Sequence, residues 1–154
     1  PEAARELSAF FAERRRKAQR LMPDALEVLT RLKKTHRLGM LTNGASSLQR
    51  EKISMSGVAG FFEQIVVSGE EKVGKPNPEV FFRLLGRLGC QPAEAVMVGN
   101  SKARDIAGAN AAGVRAIWLQ VAGAEEEFPC TTDHVIQSLA ELPALLEPAR
   151  ATKH

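Results

Sequence analysis

VMVGNSKARDI, residues 96–106, carries the clearest structural signal in the chain. The apolar residues at its start predict a buried strand. The polar turn Gly99-Asn100-Ser101 follows, and small residues up to Gly113 then predict a helix. At such a strand-to-helix turn in an α/β sheet, the helix N-terminus and the carboxyl end of the strand face one crevice, where ligands bind. Asn100 and Asp105 are therefore candidate binding residues, although an ordinary helix-capping loop has the same pattern.

The composition predicts one globular domain and argues against several classes of function. The chain has 154 residues, and 44% of them are hydrophobic, which suits a single domain with a sizeable core. It has no tyrosine and a net charge of only +3, so neither a stacking platform for nucleic acid nor a charged membrane surface is indicated. No apolar run is long enough to span a bilayer. Two cysteines are too few for a disulfide framework or a zinc site, so we expect a reducing, cytoplasmic location.

Strands and helices alternate along the chain, with no internal repeat. This alternation predicts a mostly parallel, doubly wound, Rossmann-like α/β sheet with helices on both faces. The predicted strands cover residues 37–41, 61–67, 95–98, 115–119 and 134–136. Six helices are predicted. The first ends at about residue 20, and the second begins at Asp24. The others cover Ser46 or Ser47 to near Gly57, Pro76 to Gly89, the 99–101 turn to Gly113, and 138–146. Two helices have an apolar stripe that predicts their buried face, namely Leu26, Leu29 and Leu32, and Val80, Phe81, Leu84, Leu85 and Leu88.

Polar side chains follow several of the predicted strands. Thr42 and Asn43 end one strand, Lys75 precedes a helix, and Asn100 and Asp105 follow another strand. A hydroxyl with nearby backbone N–H groups can hold phosphate oxygens, and a lysine can neutralise them. Oxygen ligands beside them can hold Mg²⁺. Taken singly, these residues also fit a plain turn, a surface lysine and a solvent-facing helix residue, so their joint order makes the stronger argument.

The sequence resembles the haloacid dehalogenase (HAD) superfamily of phosphatases. Residues 41–44 (LTNG) are similar to its second motif, residues 74–81 (GKPNPEVF) to its third, and residues 98–106 to its fourth. The resemblance extends from about residue 23 to residue 146. Within the superfamily, residues 42–44, 49–53, 96–99 and 141–146 are most similar to the N-acylneuraminate-9-phosphatase group.

The resemblance implies Mg²⁺-dependent hydrolysis of small phosphate monoesters through an aspartyl-phosphate intermediate. It also implies the role of each matching residue. Thr42 and the backbone N–H of Asn43 would bind phosphate, and Lys75 would pair with the phosphate and the nucleophile. Asn100 and Asp105 would take the metal side of the site. The substrate would be a small phosphorylated metabolite, with no nucleic acid or membrane involved.

The chain departs from the superfamily pattern at two points. The first motif, an apolar strand followed by Asp-x-Asp, is absent, because the only aspartates are Asp24, Asp105 and Asp133. Asn100 also stands where the superfamily usually has Asp. The chain begins at Pro1 without Met. We therefore expect an N-terminally incomplete protein that is inactive as given.

The absent motif would end the central strand, between the strand ending at Leu41 and the one ending at Val98. We expect that slot to be filled by a companion segment, by a second chain, or by the two strands closing onto each other. The predicted domains are the end of a helical cap in residues 1–20, a core in 21–148 that lacks its first strand, and a tail in 149–154. An inactive binding or assembly module and a haloacid dehalogenase remain alternatives to a phosphatase.

Overall fold

The computed structural model describes residues 21–121 and 127–147, in which helices alternate with strands. The predicted cap helix in residues 1–20 and the tail in 149–154 lie outside the described residues. The strands are β1 Gly39–Thr42, β2 Gln64–Val67, β3 Val96–Gly99, β4 Arg115–Leu119 and β5 His134–Ile136. The helices are α1 Ala25–Leu32, α2 Ser46–Ser56, α3 Ser68–Glu71, α4 Pro78–Leu88, α5 Ala107–Ala112 and α6 Leu142–Leu146. Single 3-10 turns cover Ala59–Phe61, Pro92–Glu94 and Leu139–Glu141, and a π-helical turn, Lys102–Ile106, leads into α5.

All strand pairs are parallel, and they form two hydrogen-bonded groups. β1 pairs with β2, with Leu41 opposite Val66. β4 lies between β3 and β5, with Ile117 opposite both Val98 and His134. The predicted Rossmann-like α/β fold is confirmed. Among the described residues, β1 and β3 are not hydrogen-bonded to each other, so the structure does not show the slot closed by these two strands.

Two apolar clusters, on opposite faces of β4, form the core. Ala116 and Trp118 belong to the cluster that α4 and α5 cover, and Ile117 and Leu119 belong to the cluster that α1 and α6 cover. Successive side chains of a strand point to opposite faces, so β4 supplies both clusters alternately. This arrangement confirms the prediction of helices on both faces.

Helix α1 buries a different stripe from the predicted one. Ala25, Val28 and Leu32 are buried, whereas Leu26 is 49% exposed. Both stripes have helical spacing and share Leu32, so the period alone does not choose between them. At 100° per residue, the centre of the buried stripe lies roughly 65° around the helix from the centre of the predicted one.

Several local details also differ from the sequence prediction. The strand predicted over 61–67 begins only at Gln64. Its pairing with β1 starts there, because Gln64 lies opposite Gly39, the first residue of β1. Helix α2 starts after Ala45, and no side chain caps it, so the predicted Ser46 or Ser47 cap is wrong. The Ser46 hydroxyl donates instead to Glu70 of the short helix α3, which lies outside every predicted helix and strand. In the described ranges, the helices are too short or too polar to cross a membrane.

Candidate active site

The turn after β1 is held by hydrogen bonds to three other segments of the chain. The Thr42 hydroxyl donates to Gln49 Oε1 at 2.9 Å, so Thr42 is tied to α2. The Gly44 N–H donates to Ser68 Oγ, also at 2.9 Å. Asn43 bonds the backbone of Lys75 with both ends of its amide. These contacts bring together the turn, the start of α3 and the loop between α3 and α4, here called the Lys75 loop. All three lie at the carboxyl ends of β1 and β2.

Lys75 and Asp105 form a buried ion pair at this edge. Lys75 Nζ donates to Asp105 Oδ1 at 2.6 Å, and the two side chains are only 12% and 7% exposed. The second carboxylate oxygen accepts the Ser101 N–H at 3.1 Å. Opposite charges that are removed from water interact more strongly than on the surface, so the pair holds both side chains in one geometry.

The approach of Asp105 to β3 depends on Gly99. A Cβ built at Gly99 would overlap Asp105 Cβ and its carboxylate. The π-helical turn that contains Asp105 begins after Ser101, whose hydroxyl accepts the Arg104 N–H at 3.3 Å. Single π-helical turns inside helices occur frequently at functional sites. The glycine and this turn together place the carboxylate beside the end of β3.

Asn100 occupies the end of β3, where its side chain is exposed. Its backbone carbonyl accepts the Trp118 indole N–H at 3.1 Å, which fixes the turn against β4. The structure thus joins Asn43, Lys75 and Asp105 through direct contacts. It places Thr42 at the end of β1 and Asn100 in the turn after β3.

The oxygen atoms at this edge form at most part of a Mg²⁺ site. Carboxylate and amide oxygens are ligands that Mg²⁺ accepts, and Asp105 and Asn100 supply one of each. Across residues 21–121 and 127–147, no group of three or more His, Cys, Asp or Glu side chains is arranged to hold a metal ion. A Mg²⁺ ion held here would need further oxygen ligands.

An ion pair that the sequence did not predict connects α2 to α3 beside the site. Arg50 donates two hydrogen bonds of 2.8 Å to the two carboxylate oxygens of Glu70, and Ser46 donates a third of 2.7 Å. These bonds, the Arg50 bonds first, lower the pKa of Glu70 from 4.5 to about 2. Glu70 follows Ser68 and Gly69, which contact the Asn43 turn, so the pair supports the wall of the site. A Glu paired with an Arg twenty residues earlier has no local pattern by which to find it.

Replacing Glu70 with Gln is expected to remove a pH-dependent part of the stability. The folded protein lowers the pKa of Glu70, so its contribution is complete above pH 4.5 and disappears as the pH falls towards 2. The wild type should therefore exceed Glu70→Gln in urea midpoint at pH 7, and the difference should shrink between pH 4.5 and 2. Glu63→Gln, at a looser pair with 3.6 Å between Arg37 and Glu63, is the control. A difference that stays constant over this pH range would contradict the expectation.

Comparisons with known proteins identify the family of this fold and site. Residues 3–113 match the haloacid dehalogenase-like hydrolase family. A phosphoserine phosphatase from Thermus thermophilus is 41% identical over 144 residues, covering 92% of this chain and 57% of the relative. An N-acylneuraminate-9-phosphatase from Mus musculus is 39% identical over 132 residues, covering 82% of this chain and 52% of the relative. The chain belongs to the haloacid dehalogenase-like hydrolases.

A solved structure supports the same conclusion at the level of the fold. The putative HAD-hydrolase YfnB from Bacillus subtilis, bound to magnesium, superposes with a TM-score of 0.80 at 25% identity. The match covers 86% of this chain and 59% of that structure. The chain spans about half the length of the curated relatives it matches, at 57% and 52%.

Proposed function

We propose that this chain provides the phosphate-binding half of a Mg²⁺-dependent phosphatase for small phosphorylated molecules. The observation that carries the proposal is the buried contact between Lys75 and Asp105 beside the turn that contains Thr42 and Asn43. A phosphate ester carries a negative charge that grows at its oxygens during transfer, and a fixed cation with fixed N–H donors stabilises it. The similarity to phosphatases of small phosphorylated compounds supports the same substrate class.

Each residue of the site has a task in this proposal. The Thr42 hydroxyl, which donates to Gln49 Oε1 in this structure, would turn to donate to a phosphate oxygen. The backbone N–H of Asn43 would donate to another, and Lys75 pairs with the phosphate and with the nucleophile. Asp105 keeps the lysine oriented through their 2.6 Å contact. When bound, Mg²⁺ offsets charge on the transferring group, and the oxygens of Asn100 and Asp105 would take part in holding it.

We also propose that the nucleophilic Asp is supplied by a companion segment or a second chain. The sequence contains no Asp-x-Asp, and an aspartyl-phosphate intermediate needs a free carboxylate beside the lysine. β1 and β3 each lack a partner on one side among the described residues, and all their residues are half-buried. In β4, by contrast, four consecutive residues are fully buried. Unpaired strand edges accept an added strand, so this gap suits a segment that ends in the missing carboxylates.

Turnover of p-nitrophenyl phosphate tests the proposal directly. The purified chain, confirmed by mass to carry no companion peptide, is expected to release no nitrophenol. Adding a synthetic peptide of four apolar residues followed by Asp-x-Asp-x-Thr, together with Mg²⁺, should restore turnover. The same peptide with both aspartates replaced by Asn is the matched control. Turnover by the chain alone would refute the assignment of the nucleophile, and strand binding without turnover would favour an inactive binding module.

The weak charge at the metal side gives a further expected result. Mg²⁺ gains affinity from charged oxygen ligands, and Asn100 provides a neutral one. The chain should therefore bind Mg²⁺ weakly in a calorimetric titration, and Asn100→Asp should tighten binding about tenfold by adding a carboxylate. Asn77→Asp, which adds the same charge at the cap of α4, is the control. Strong Mg²⁺ binding by the unmodified chain would contradict this expectation.

A reducing location such as the cytoplasm is also proposed. Cys90 and Cys130 are free thiols, and both are partly buried against the cluster of α4 and α5. Proteins in oxidising compartments commonly pair their cysteines, whereas thiols of cytosolic proteins stay reduced.

A further inference from the structure

We propose that the side chain of Asn43 positions Lys75, so that one residue links the phosphate-binding turn to the cation that faces the phosphate. The backbone N–H of Asn43 has a role in the proposed function, whereas its side chain has none there. The structural part of this proposal, that the amide sets the position of the lysine, stands on contacts alone. Its consequence for phosphate binding rests on the proposed function.

The amide of Asn43 forms a reciprocal pair of hydrogen bonds with the backbone of Lys75. Asn43 Nδ2 donates to the Lys75 carbonyl at 2.9 Å, and the Lys75 N–H donates to Asn43 Oδ1 at 2.9 Å. A carboxamide carries both a donor and an acceptor in one plane, so it pairs with the N–H and the C=O of one residue as a neighbouring strand would. An aspartate in the same place keeps the acceptor and loses the donor. The two bonds fix the Lys75 backbone to a turn 32 residues earlier in the chain.

The loop before Lys75 is shaped around this amide. A Cβ added at Gly74 would lie 2.8 Å from Asn43 Oδ1 and 2.9 Å from Ser68 Cβ, so a larger residue would push the amide away. On the other side, the Asn77 N–H donates to the Gly74 carbonyl at 3.0 Å, and the Asn77 side chain caps α4. The Lys75 backbone is therefore held from both sides, and its side chain is directed to Asp105.

The position of the backbone determines where the ammonium lies. Lys75 is a long side chain with several rotatable bonds, and its 2.6 Å contact with Asp105 requires one of its many conformations. Without the Asn43 side chain, the half-buried backbone N–H and carbonyl of Lys75 lose their hydrogen-bond partners. These two groups then bind water, and the loop is no longer held in one position. The ammonium then spends part of its time away from Asp105 and from the turn.

A matched control exists elsewhere in the chain. Asn110 of α5 makes the same reciprocal pair with Thr131, at 2.9 Å from its Nδ2 to the Thr131 carbonyl and 2.8 Å from the Thr131 N–H to its Oδ1. Replacing either asparagine with Ala removes the same two hydrogen bonds. The Lys75 loop loses its support only in Asn43→Ala.

The experiment measures how fast an amine-acetylating reagent modifies Lys75 in the folded chain at pH 7, by mass spectrometry of peptides. Exposed Lys34 in the same sample serves as the reference. Asn43→Ala should raise the relative rate at Lys75 about tenfold, because both hydrogen bonds to the loop are lost. Asn43→Asp should give an intermediate rate, and Asn110→Ala should leave it within about twofold of wild type. An unchanged rate in Asn43→Ala, or equal increases in Asn43→Ala and Asn110→Ala, would overturn the proposal.

A second measurement separates this inference from the proposed function. Inorganic phosphate is titrated into the wild type and the same variants, and the dissociation constants are compared. A weaker affinity in Asn43→Ala with no change in Asn110→Ala supports the link between the turn and the lysine. If the wild type does not bind phosphate, that link and the proposed function both fail. The acetylation rates then still show whether Asn43 positions Lys75.

Discussion

Lys75→Met should lower the free energy of unfolding at pH 7 by about 3–5 kcal/mol, the range seen when one partner of a buried ion pair is removed. Methionine keeps most of the length and the apolar stem of lysine, so packing changes little. Asp105 would stay only 7% exposed, with its charge facing the Ser101 N–H and no cation. Urea denaturation followed by circular dichroism measures the loss.

The control for this prediction is an ion pair of similar length on the surface. Arg31 donates to Glu147 at 2.6 Å, but its side chain is 57% exposed. Arg31→Met should therefore cost less than about 1 kcal/mol, since water already solvates both charges. Adding Asp105→Asn to Lys75→Met should recover part of the stability, because no uncompensated charge remains. A loss in Lys75→Met no larger than in Arg31→Met would show that the pair is not desolvated.

The second large effect is expected from Gly99→Ala, with a loss of about 3 kcal/mol at the upper end of the range for overpacked cores. The added Cβ would overlap Asp105 Cβ, which is bound directly to the backbone and cannot rotate away. The start of the π-helical turn has to move, and the contact between Lys75 and Asp105 lengthens with it. The substitution should therefore affect both stability and the site.

Two further substitutions test the stated cause of this loss. Gly86 lies inside α4, and nothing within 4 Å would meet its Cβ. Gly86→Ala should stabilise the protein by about 0.5–1 kcal/mol, since Ala is the better helix former. In an Asp105→Gly background, which removes the overlapping Cβ, Gly99→Ala should lose much less than in the wild type. An equal loss in both backgrounds would show that the overlap with Asp105 is not the cause.

The sequence predicts the part of the fold that depends on local patterns. The apolar run before Gly99 forms strand β3, although its residues are half-buried and the pattern predicts a buried strand. Val80, Phe81 and Leu85 of the predicted stripe are buried in α4. Polar residues at the carboxyl ends of parallel strands meet at one edge, so a group containing Lys75 and Asp105 could be expected before the structure. The roles assigned to Thr42, Lys75, Asn100 and Asp105 stay predictions.

Other features depend on tertiary contacts that no local pattern contains. The amide of Asn43 pairs with a backbone far along the chain, and its residue type fits an ordinary turn equally well. The face that α1 buries is set by the sheet beneath it, because its sequence offers two stripes with the same period. Ser46 resembles a helix cap, but its hydroxyl donates to the Glu70 carboxylate.

The division of the strands into two hydrogen-bonded groups has a consequence for motion. Within the described residues, no backbone hydrogen bonds between strands connect β1 and β2 to β3, β4 and β5. The two groups are joined by packed helices and side chains. Segments without a shared ladder can open as separate cooperative units, each with its own rate of amide hydrogen exchange. Lys75 follows one unit and Asp105 belongs to the other, so their contact crosses the boundary. The lifetime of the site is then set by the less protected unit, and a strand that joined the two would slow exchange in both.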